Sequence, residues 1–92
     1  MIEKRVTVTN RLGLHARAAA RLVQMANRFQ SDLRLERVND RATADAKSIL
    51  SVLMLAATAG TELSVRAEGI DEPEAIAALS DLFRTGFGET ET

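Results

Sequence analysis

The sequence predicts an α+β fold, a four-stranded antiparallel sheet covered on one face by three helices. Two patterns predict it. Short runs alternate apolar and polar residues as half-buried strands do, and longer runs repeat apolar residues at three- and four-residue intervals. Their order along the chain is β-α-β-β-α-β-α, and a sheet with one apolar face needs helices to cover it.

The first strand covers Ile2 to Thr9, with Ile2, Val6 and Val8 on one face and Glu3, Arg5, Thr7 and Thr9 on the other. Lys4 interrupts the apolar face and snorkels at the strand's end. Asn10 to Leu14 breaks the strand, and Gly13 gives the backbone freedom to turn. In the helix that follows, Ala19, Leu22, Val23, Ala26 and Phe29 share a face, while Arg17, Arg21, Gln24 and Arg28 line another.

Leu33 and Leu35 mark the second strand, Val38 to Arg41 a hairpin turn, and Ala42 to Ala44 a short third strand. Asp45 to Ser48 offers capping side chains to a second helix, in which Val52, Leu55 and Ala56 face the core. Leu50, Leu53 and Met54 then turn outward as a docking face, the competing reading being a fully buried helix. Gly60 ends that segment, and Leu63, Val65 and Ala67 form the last strand. Asp71-Glu72-Pro73-Glu74 reads as an acidic cap, a first-turn proline and a capping-box glutamate ahead of the stripe Ala75, Ile76, Leu79, Leu82 and Phe83. Residues 86–92, rich in Gly, Glu and Thr, read as a fraying tail.

Ninety-two residues, 46% of them hydrophobic and 27% charged, suit one small domain spanning residues 1–92. The absence of cysteine excludes disulfides and thiolate metal sites, and a single histidine argues against a zinc site. A net charge of −1, with Phe as the only aromatic residue type, lacks the basic and stacking signature of a nucleic-acid binder. No apolar run is long enough to insert into a membrane, so the expectation is a cytoplasmic protein whose partners are proteins or small molecules.

The lone histidine, His15, sits between the glycine-bearing turn and the first helix. An imidazole titrates near neutral pH and is a competent nucleophile, and the free N–H groups of a helix start can hold an anion beside it. Arg17 adds a planar cation suited to phosphate oxygens. Together these suit a phosphoryl group, although the residues without a motif favour a surface or capping histidine with no chemistry.

Gly13-Leu14-His15-Ala16-Arg17 resembles the active-site motif of the HPr family, the histidine-containing phosphocarriers of the bacterial phosphotransferase system. Ala46-Lys47-Ser48-Ile49-Leu50 is similar to the family segment that carries a regulatory serine, and the Gly60 turn and Ala67-Glu68-Gly69 fall in register with it. Ala18 stands where the family usually has proline. The stretches T-N-R-L-G-L-H-A-R, L-M-L-A-A-T-A-G and L-F-R-T-G-F look more like the nitrogen-related type, NPr, than the sugar-transport type.

The resemblance implies the family's open-faced β-sandwich. It also implies a relay rather than an autonomous enzyme: phospho-enzyme I, charged from phosphoenolpyruvate, donates its phosphoryl group to Nδ1 of His15, which passes it to an EIIA-type protein. In that reading Arg17 is the charge partner, and the backbone amides of Ala16 and Arg17 hold phosphate oxygens. Partner contacts fall on Ile49, Leu50, Leu53 and Met54, Arg21 steers acidic partners, and Ser48 is the residue an HPr kinase would modify. No metal or cofactor is required, and the carrier is expected to be a monomer. The alternatives are a non-transferring regulatory module that binds proteins through Ile49 to Met54, and a small ligand-sensing domain.

Overall fold

The computed structural model describes residues 1–89. Its elements are β1 (Ile2–Thr7), α1 (Ala16–Ala26), β2 (Asp32–Arg37), β3 (Thr43–Asp45), α2 (Ile49–Leu55), β4 (Glu62–Glu68) and α3 (Glu72–Arg84), closed by a 3-10 turn at Gly86–Gly88. The strands form one antiparallel sheet in the order β1-β4-β2-β3. Register follows from the pleat. Val6 pairs with Leu63, Leu35 lies between Val65 and Ala44, and Leu33 pairs with Ala67, so apolar residues meet along most of the inward face, interrupted where Lys4 lies opposite Val65 and Arg37 opposite Leu63.

The helices cover that face, and one apolar cluster joins Leu33, Leu35, Leu63 and Val65 of the sheet to Leu22 of α1, Val52 of α2 and Leu79 and Phe83 of α3. The other face is open and charged. There Arg66 pairs with Glu3 at 2.6 Å and Glu36 at 2.8 Å, and Arg41 with Glu36 at 3.2 Å.

Several boundaries move, each for a local reason. β1 ends at Thr7, yet Val8 stays buried and its N–H donates to Thr61 O at 2.9 Å. α2 stops at Leu55 because Ala56 takes the left-handed conformation, φ 54°, and caps it. Gly60 therefore lies in the turn beyond, and Ala57 is buried while Ala56 is exposed.

Two expectations are corrected outright. Asp71 sits at the start of α3 but makes no side-chain cap; its carboxylate accepts instead from Gln30 N and Ser31 N, both at 2.9 Å, and from Ser31 Oγ at 2.5 Å. It ties the segment after α1 to α3. The capping-box role read into Glu74 goes with it, and Glu72, not Glu74, accepts a nearby amide, that of Gly69 at 3.0 Å. The second correction is the tail. Residues 86–89 do not fray: Phe87 is buried, its ring 5.0 Å from that of Phe83 in an edge-on pair, and Glu89 makes hydrogen bonds to both Asn10 and His15. The remainder of the expected tail, 90–92, lies outside the described residues.

Candidate functional site

His15 is the N-cap of α1, extended at φ −76° and ψ −178°, and its carbonyl accepts the first helical hydrogen bond, from Ala19 N at 2.8 Å. A tight turn brings it there. Gly13 N donates to Asn10 O at 3.1 Å, the Asn10 amide nitrogen donates to Gly13 O at 2.7 Å, and Gly13 itself takes φ 68°. Leu14 N then donates to Ala57 O at 2.9 Å, which fastens the histidine loop to the chain just beyond α2.

The half-buried imidazole is held at both nitrogens. Nδ1 accepts from Arg17 N at 3.3 Å, and Nε2 lies 2.6 Å from Glu89 Oε2. This network assigns the neutral tautomer: the proton sits on Nε2, where the carboxylate accepts it, and Nδ1 keeps a lone pair. The contact to Nδ1 is long and lies at a helix start, so a group arriving at Nδ1 meets the Arg17 amide and the positive end of α1. The Ala16 amide has no acceptor among the described residues and faces no competition for an anion.

The Arg17 side chain is exposed, and among the described residues no carboxylate lies within ion-pair distance of it. Ala18, the third helical residue, is fully buried, and α1 begins cleanly without a proline there. Arg21 is placed differently from the reading of a free steering cation. Its guanidinium donates to the carbonyl of Phe87 and so holds the returning C-terminal segment.

Glu89 and Asn10 were not singled out as site residues by the sequence. Glu89 Oε1 accepts from Asn10 Nδ2 at 3.0 Å, and that bond, followed by the one to His15, holds its carboxyl below the usual range against the opposing effect of burial. The one signal that could have found it is Phe87, a large apolar residue set between two glycines in an otherwise polar tail.

The second candidate region is α2. Ser48 is its N-cap, with Oγ accepting from Ser51 N at 3.3 Å. Ile49, Leu50, Leu53 and Met54 are 43%, 65%, 38% and 76% exposed, which rules out a fully buried helix and leaves a short apolar face in solvent. Among the described residues no group of three or more potential ligands is placed to hold a metal ion, and no helix is long and apolar enough to cross a membrane.

A family model for the phosphorylation site of the HPr component of the phosphotransferase system matches residues 2–85. The chain belongs to the HPr family. It is a phosphocarrier of that system, accepting a phosphoryl group on a histidine from phospho-enzyme I and passing it to an EIIA-type protein, as the family does. It is 49% identical to the phosphocarrier protein HPr of Xylella fastidiosa, over 97% of this chain and 98% of the relative. Similarity extends to the phosphocarrier protein NPr of Proteus mirabilis, 43% identical over 94% of each chain. The crystal structure of an HPr from Thermoanaerobacter tengcongensis superposes with a TM-score of 0.92 at 42% identity, covering 99% of this chain and 100% of that one. A structure of an HPr dimer from the same organism matches at a TM-score of 0.75 and 43% identity, covering 97% and 100%. The architecture is therefore the HPr fold, with four antiparallel strands and three helices on one face.

Proposed function

We propose that His15 is the phosphoryl-carrying residue, through Nδ1, and that Arg17 is its charge partner. The observation that carries this is the pair of contacts to the ring, Arg17 N 3.3 Å from Nδ1 and Glu89 Oε2 2.6 Å from Nε2, from which we assign a lone pair to Nδ1 at the start of α1 and the proton to Nε2. A neutral imidazole in that state attacks without first losing a proton. The amides of Ala16 and Arg17 and the exposed Arg17 guanidinium then face the incoming oxygens, replacing hydration with fixed dipoles. Binding here stays moderate because the site is open and half-exposed. A carrier that bound its phosphoryl group deeply would hand it on slowly.

Partner docking is assigned to Ile49, Leu50, Leu53 and Met54. Support comes from their exposure and from the Leu14–Ala57 hydrogen bond, which fixes the histidine loop relative to that helix. Ser48 is the position an HPr kinase would modify, and a phosphate there would set two negative charges beside Ile49 and Leu50 and weaken docking. The reading takes the carrier as a cytoplasmic monomer, which fractionation and sedimentation check. The NPr-like stretches favour a nitrogen-related acceptor over a sugar-transport one.

The test incubates the protein with enzyme I, phosphoenolpyruvate and magnesium and maps acid-labile phosphate by mass spectrometry. Label is expected on His15, and His15→Ala should abolish it while leaving the thermal transition cooperative. Label at any other residue, or none, would overturn the assignment.

A further inference from the structure

The closing turn is built in a way that a loose chain end does not require. Gly86, Phe87 and Gly88 all take positive φ, at 61°, 59° and 71°, and for a bulky residue such as Phe87 that conformation is strained. Burial holds it there. Phe87 is 2% exposed, its ring meets Phe83, and its carbonyl accepts from Arg21. The reversal brings one side chain, Glu89, onto the imidazole across 74 residues of sequence. Its two oxygens are separately committed, Oε2 to His15 Nε2 at 2.6 Å and Oε1 to Asn10 Nδ2 at 3.0 Å, so the carboxylate is fixed in place.

We propose that Glu89 is a positioning residue for phosphoryl transfer, whose carboxylate keeps the proton on His15 Nε2 through the whole cycle. The inference rests on His15 being the carrier residue. On charging, the Nδ1 lone pair forms the bond to phosphorus as the donor's bond to phosphorus breaks, the electron pair staying with the donor. The ring still bears Nε2–H and becomes a cation, which Glu89 faces. On discharge, a lone pair of the acceptor bonds to phosphorus, the N–P electron pair returns to Nδ1, and neutral imidazole leaves. Remove the carboxylate and the phosphorylated ring sheds its Nε2 proton more readily, so the leaving group becomes an imidazolide, a far poorer one. The charged groups on the surrounding elements are Arg11 in the turn, Arg17 and Arg21 on α1, Glu89 itself and the phosphoryl group. Only Glu89 is placed to accept from Nε2 among the described residues.

Chemical phosphorylation with phosphoramidate charges the histidine without any partner protein, and loss of phosphate is then followed by phosphorus NMR across the pH range. Glu89→Gln keeps the shape and can still accept from Nε2–H, but lacks the charge. It should lose phosphate about tenfold more slowly at mildly alkaline pH, its profile displaced to lower pH by about one unit, the equivalent of that factor. Glu89→Asp, which keeps the charge, should lie between it and the parent. Superimposable profiles for Glu89→Gln and the parent, with matching thermal transitions, would overturn the proposal by reducing Glu89 to a structural contact. If the parent takes no phosphate from enzyme I, yet the Glu89→Gln profile is still displaced from the parent's after chemical phosphorylation, the carrier reading is overturned and with it the place of Glu89 in transfer, while its hold on the Nε2 proton stands.

Discussion

Gly13 turns the chain two residues before the imidazole, and two separate constraints keep it a glycine. Its φ of 68° is one that a side chain reaches at a cost, and a Cβ there would lie 2.6 Å from Ala57 O, the acceptor of the Leu14 amide. Replacement would strain the backbone and push the histidine loop off the end of α2. Gly13→Ala should therefore cost about 1 to 3 kcal/mol in urea denaturation and slow phosphorylation by enzyme I. A variant of parental stability and rate would show that the loop takes its shape without this contact. The same loop explains Asn10, whose amide nitrogen spans Gly13 O and Glu89 Oε1 and so couples the turn to the C-terminal segment.

At the scale of elements, α2 carries a division of labour within one short helix. Val52 and Leu55 are buried, while Leu50 and Met54 stand largely in solvent. Substitution of Leu50 thus separates stability from recognition. Leu50→Asp removes little buried surface and sets an anion in the first turn of the helix, where the dipole favours it. Its stability should stay within about 0.5 kcal/mol of the parent, whereas affinity for enzyme I should fall at least about tenfold if this face docks the partner. Calorimetric titration and thermal melting distinguish the two, and a variant that melts early with unchanged affinity would return Leu50 to the core. α3 behaves differently from its sequence signature, because its leading aspartate is spent on Gln30 and Ser31 rather than on its own amides. The helix starts there through Pro73 and through tertiary contact, not through a local cap.

Over the whole molecule, the depressed carboxyls are spread across the fold. Glu3 is lowered by Arg66 and then Ser64, Asp40 by Arg37 and then the Ala42 amide, Asp71 by Ser31 and then the Gln30 amide, and Glu72 by the Gly69 amide and then the N-terminus. Glu89, lowered by Asn10 and then His15, joins them. In each case the folded state binds its proton at lower pH than the unfolded chain, so the stabilisation is complete above the unfolded values of about 3.9 for Asp and 4.3 for Glu and is lost as pH falls through the folded ones. Urea midpoints should accordingly decline below about pH 4.5, gradually because these carboxyls are solvent-screened. A midpoint that holds constant into that range would show that these hydrogen bonds persist in the unfolded chain or contribute nothing.

What the sequence determined by itself was whatever is written in neighbouring residues. Period-two and three-to-four-residue spacing set the order of strands and helices, because burial on one face is decided within a few residues. The contiguous run Gly13 to Arg17 was legible as a candidate site for the same reason, since turn, imidazole and helix start are joined by the chain itself. Tertiary structure decided the rest. Asp71 looks like a cap until Ser31 is brought beside it, and Glu89 looks like part of a loose tail until Phe87 is buried against Phe83. A carboxylate bonds to whichever donors the closed chain brings within reach. A partner 74 residues away leaves no periodicity in the sequence to announce it.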